Sequence, residues 1–94
     1  MDKSVLGAVR RFPDRSLEIR RLALSDGAFR SLCEDFHEAE TALARWNLST
    51  SEQGASRRSE YRLLVEELAA EIVRMIDRRS RVEAAPGGRG ESRQ

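Results

Sequence analysis

The chain has 94 residues, of which 39% are apolar, 35% charged and 5% aromatic, with a net charge of +1. That is enough for one domain and too little bulky apolar material for a large core, so association is a common route to added stability. A single cysteine, Cys33, excludes an internal disulfide, and no apolar run approaches the roughly 20 residues of a membrane-spanning helix.

The charge is unevenly laid out: residues 1–24 are net +3, residues 26–47 net −3 and residues 48–81 net +1. All the basic residues but Lys3 are arginines. The first residues lack the long apolar stretch of a secretory signal, which predicts a cytoplasmic protein.

Residues 1–12 form a flexible lead or a short helix carrying Val5, Leu6 and Val9. Pro13 suits the first turn of a helix, where its missing N–H is no loss, and Leu17, Ile19 and Leu24 mark a short amphipathic helix over about 14–24. Ser25 reads as the N-cap of the next helix, with Leu24 and Phe29 as a hydrophobic staple and Asp26 in the first turn.

Across 26–47 the residues Phe29, Leu32, Phe36, Ala39, Leu43 and Trp46 are spaced 3, 4, 3, 4, 3, a heptad seam. The polar run 47–57, with Gly54, predicts a loop. A second long helix over about 58–81 carries Tyr61, Val65, Leu68, Ile72 and Met75, spaced 4, 3, 4, 3. Leu64, Ala69, Val73 and Ile76 make that stripe broader than one partner helix requires. Residues 83–94 are rich in glycine and charge and predict a disordered tail.

Two long helices joined by a short loop fold back on each other. The predicted fold is therefore all-α: a short N-terminal helix and a long antiparallel, coiled-coil-like hairpin within 13–82. Pairing outward from the loop sets Trp46 near Tyr61, Leu43 near Leu64 and Val65, Phe36 near Ile72, and Phe29 near Met75–Arg79.

The stretch Phe12-Pro13, Ile19, Leu22, Ser25–Asp26, Phe29, Leu32, Phe36-His37 and Leu43 resembles the YdcH-like family of small bacterial proteins. The resemblance implies a short helix followed by a helical hairpin, and no established activity. The second long helix departs from the lysine-rich pattern common in that family, reading Leu64-Val65-Glu66-Glu67-Leu68-Ala69-Ala70-Glu71 here.

Sites for chemistry are sparse. Cys33 and His37, four apart on one helix face, amount to two potential metal ligands, and Zn²⁺ takes three or four. Cys33 as a nucleophile with His37 as base lacks an orienting group and an oxyanion donor. The acids Glu34, Asp35, Glu38, Glu40, Glu66, Glu67 and Glu71 read as solvated helix faces. Gly87-Gly88-Arg89-Gly90 opens no helix and makes no phosphate loop. No catalytic residue, cofactor or metal is predicted, and the protein is read as a non-enzyme.

Two surfaces remain. Leu64, Val73 and Ile76 form a predicted association surface, for a second copy as a homo-dimer or larger homo-oligomer, or for the short helix. Arg20, Arg21, Arg30, Arg74, Arg78, Arg79 and Arg81, with Arg10, Arg11 and Arg15, gather at the open end of the hairpin as a predicted anion-docking surface. The expected function is a protein-protein interaction or adaptor module. The alternative is a weak, non-specific nucleic-acid or anion binder; base-stacking aromatics and a helix-turn-helix signature are missing there.

Overall fold

The computed structural model describes residues 2–84, and every regular element among them is helical. The chain forms α1 (Lys3–Arg11), a single 3₁₀ turn (Pro13–Arg15), α2 (Ser16–Ser25), α3 (Gly27–Asn47) and α4 (Gly54–Ala84). The tail predicted over 83–94 begins inside α4, which continues through Ala84; residues 85–94 lie outside the described residues.

The lead is a helix. Asp2 caps it by accepting a bond from the Ser4 N–H at 2.9 Å, satisfying a donor that the first turn leaves without a partner. Its buried face is built from Ser4, Val5, Gly7 and Ala8, and these short side chains let α1 lie close on α3. A Cβ on Gly7 would sit 3.5 Å from the Glu40 Oε1 and 3.8 Å from the His37 Nδ1, which places α1 across the Cys33–His37–Glu40 side of α3.

Pro13 occupies the first position of the 3₁₀ turn that leads into α2, as its fixed φ favours. The break between α2 and α3 corrects the sequence reading. Ser25 is the last residue of α2, and its hydroxyl donates back to the Arg21 carbonyl. The cap is Asp26, extended at φ −131° and ψ 106°, whose carboxylate accepts from the Phe29 N–H at 3.1 Å. The Asp26 N–H also donates to the Leu22 carbonyl at 2.9 Å, so one residue closes α2 and opens α3. The predicted staple does not form: Phe29 is fully buried and Leu24 is 85% exposed.

The α3–α4 loop is shorter than predicted, covering 48–53. Gly54 is the first residue of α4, and its missing side chain leaves room for Arg58, whose Nη1 would lie 3.0 Å from a Cβ there. That guanidinium donates to the Trp46 carbonyl at 3.0 Å, capping α3 from the neighbouring helix where backbone acceptors and the negative dipole end collect.

Both seams close inward. Phe29, Leu32, Cys33, Phe36 and Ala39 of α3 are buried with Val65, Ala69, Ile72 and Ile76 of α4. α2 adds Ile19, Leu22 and Ala23, and α1 adds Val5 and Ala8. Where four helices meet, the core is continuous. Toward the loop only α3 and α4 remain, and Leu43, Trp46 and Tyr61 are half-buried.

Candidate binding surface

Cys33 is a core residue. It is fully buried beneath α1, and its thiol is pushed up to about 11, first by desolvation and then by the charges of Asp2 and Glu34. The thiolate needed by a nucleophile or a metal ligand is thereby disfavoured. His37 is half-buried against α1. Glu40, in the same layer, has its carboxyl pushed up by burial, a shift that Arg10, Arg11 and His37 oppose. Among the described residues, no three His, Cys, Asp or Glu side chains converge as a metal site, and no helix is long and apolar enough to cross a membrane.

The arginines do not form one patch. Arg11 lies partway along the hairpin, where one of its nitrogens meets both Glu66 oxygens at 2.8 and 3.0 Å and holds that carboxyl below the ordinary range. Arg15 bonds Glu18 and, at 2.8 Å, Asp77, while the Ser80 hydroxyl donates to Glu18 at 2.6 Å. This cluster ties the start of α2 to the end of α4. Arg30 donates to the Ala23 carbonyl at 2.6 Å, and Arg79 reaches the Ser25 hydroxyl at 3.2 Å and Glu83 at 3.3 Å. Arg20 and Arg30 together line a groove with Asp2, Val5 and Leu24. Arg21 and Arg79 line a different cleft, with Glu18, Leu22, Ile76 and Glu83. Of the predicted anion-docking residues, the structure brings Arg20 beside Arg30 and Arg21 beside Arg79, each pair with acids in the same groove.

The predicted association surface is redrawn as well. Ile76 is 1% exposed and lines the cleft beneath α2 with Leu22, so it belongs to the protein's own core. The broad stripe partly served to cover the short helix. Val73 is half-buried, and Leu64 is 38% exposed.

Helical geometry shows what stays open on α4. Each residue advances about 100° around the axis, so Val65, Ala69, Ile72 and Ile76 mark the inward face. Tyr61, Leu64, Leu68, Met75 and Val82, spaced 3, 4, 7 and 7, form a second ridge along one edge of that face. Tyr61, Leu68 and Met75 are half-buried, and Val82 is 68% exposed. Beside the ridge, Ala39 and Ala42 of α3 floor a groove with Tyr61, Leu64 and Leu68, rimmed by Asp35 and Glu38. α1 lies on the other side of the hairpin, where Arg11 meets Glu66.

Outward of the ridge, the charges of α4 are sorted by sign. Glu60, Glu67 and Glu71 occupy the first half, and Arg74, Arg78 and Arg81 the second. All six are exposed. Glu60 pairs with Arg57, and the other five make no ion pair within 4.0 Å among the described residues. Periodicity pointed to Leu64; the rest of the ridge was hidden because Tyr61, Leu68 and Met75 also belong to the inner seam.

No family model matches the chain, and comparisons with curated proteins and with solved structures find no match.

Proposed function

We propose that this protein is a non-enzymatic protein-binding module that presents the outer face of α4 to its partner. One observation carries the reading: among the described residues, α4 keeps an apolar ridge and a row of mostly unpaired charges on a face that no other helix covers. An apolar stripe rimmed by charge is the usual form of a helix-binding surface. We also propose kinship with the YdcH-like family on the Phe12–Leu43 pattern, a kinship that carries a helical hairpin and no activity.

A photo-crosslinking amino acid placed at Leu64 should yield a discrete protein adduct in cells of the native host, and the same probe at Thr50 in the loop should not. Absence of any protein adduct at Leu64 overturns the reading.

The second reading, a weak nucleic-acid or anion binder, is favoured by Arg74, Arg78 and Arg81 standing exposed without acidic partners. It requires binding of DNA or RNA at low salt that collapses as salt rises. No binding at low ionic strength removes it.

A further inference from the structure

We propose that the occupant of α4's outer face is a second copy of this chain, with the two α4 helices running antiparallel about a two-fold axis near residues 70–73. The inference rests on the outer face of α4 being a protein-binding surface, and it names the partner.

The argument begins with the order of charge. Glu67 and Glu71 are one turn apart on the same side of the helix, as are Arg74 and Arg78. Like charges at this spacing repel mildly. Among the described residues neither pair meets an opposite charge within 4.0 Å, so the ion pairs of the chain leave the sorting by sign unused. A second α4 laid parallel would set glutamates against glutamates and arginines against arginines. Laid antiparallel, it sets Glu67 and Glu71 of each copy beside Arg74 and Arg78 of the other, twice over by symmetry. The sequence of α4 is thus complementary to its own reverse.

The ridge obeys the same operation. With the axis near residues 70–73, Leu64 of one copy falls beside the Met75–Val82 stretch of the other, and Leu68 lies close to the axis. Spacings of 3, 4 and 7 keep these residues on one seam over six turns, as two packed helices require. The groove floored by Ala39 and Ala42 admits side chains from the facing helix close to the hairpin. Two hairpins joined in this way cover Tyr61, Leu64 and Leu68 of each within a four-helix arrangement.

Charge reversal on the full chain tests orientation and partner together. Wild type should be a dimer by sedimentation equilibrium at micromolar concentration. Glu67→Arg/Glu71→Arg makes the centre of the face basic, and Arg74→Glu/Arg78→Glu makes it acidic. Each should weaken self-association roughly tenfold or more, since attraction becomes repulsion at several exposed pairs. An equimolar mixture of the two should restore the dimer as a heterodimer. The four side chains are exposed, so circular dichroism and the melting curve confirm that each variant is folded.

A monomeric wild type overturns the proposal. So does a dimer indifferent to either reversal, because a parallel pair has like charges facing before and after the change. So does a mixture that fails to associate. If wild type is monomeric while the Leu64 probe captures a different protein, the homodimer fails and the protein-binding reading stands. If neither occurs, both fail.

Discussion

The two ends of the hairpin solve burial differently. At the end where α1 and α2 pack, Phe29, Cys33, Phe36, Ile19, Ile72 and Ile76 are all 0–1% exposed. At the loop end, two helices alone cannot enclose a seam, and Leu43, Trp46 and Tyr61 stay half-buried. The first end is completed by short-range elements of the same chain. The second is held by a thinner seam and by Arg58 reaching back to the Trp46 carbonyl. A short helix therefore does more for stability than its length suggests, because it converts a two-helix contact into a closed core.

Truncation should expose this contrast most strongly. Phe36→Ala removes a fully buried ring and should cost about 3–5 kcal/mol, comparable to the whole stability of many small domains. Trp46→Ala removes a half-buried ring at the loop end and should cost about 1–2 kcal/mol. Urea unfolding midpoints measure both, and equal losses would erase the distinction between the ends.

A smaller effect is expected at Arg58. Arg58→Met keeps much of the stem but removes the donor to Trp46, and should cost about 1 kcal/mol. Amide exchange should quicken in the last turn of α3 and leave the first turn, capped by Asp26, unchanged. A uniform change along α3 would count against a local cap.

The smallest effect concerns acid at the four-helix end. Arg15, and next the Ser80 hydroxyl, hold the Glu18 carboxyl down to about 2, against an ordinary 4.5. A carboxyl whose folded pKa is depressed favours the folded state wherever both states are ionised, above pH 4.5, and that contribution is lost as pH falls through about 2. Glu18 is partly exposed, so the loss should be modest. Glu18→Gln should flatten the decline in melting temperature over that window; an unaltered slope would show that the cluster does not couple α2 to α4.

Much of the fold is legible from spacing. Phe29, Leu32, Phe36 and Ala39 were predicted as one seam and are all buried, as are Val65 and Ile72 opposite them. Sequence sets the start of α3 one residue early because Ser25 and Asp26 are both good caps, and only the geometry of the turn distinguishes them. Sequence sets the start of α4 late because Gly54 and the exposed residues 55–57 after it form a pattern shared by loops and by solvated helix turns. The scattering of the arginines was illegible for a further reason. Position along a helix does not fix which carboxylate a long side chain finds across a contact, as Arg11 with Glu66 and Arg15 with Asp77 illustrate.

The sequence by itself determined that the chain is helical, where the hairpin turns, and which residues of α3 meet α4, because heptad spacing on a helix is geometry carried by the chain. Only the tertiary structure decided that α1 is a helix that seals Cys33 into the core, that Ile76 faces α2, and that the outer edge of α4 remains open among the described residues. Those outcomes depend on which element reaches an apolar stripe first. A stripe two faces wide states only that two neighbours are needed, and the fold supplies one of them.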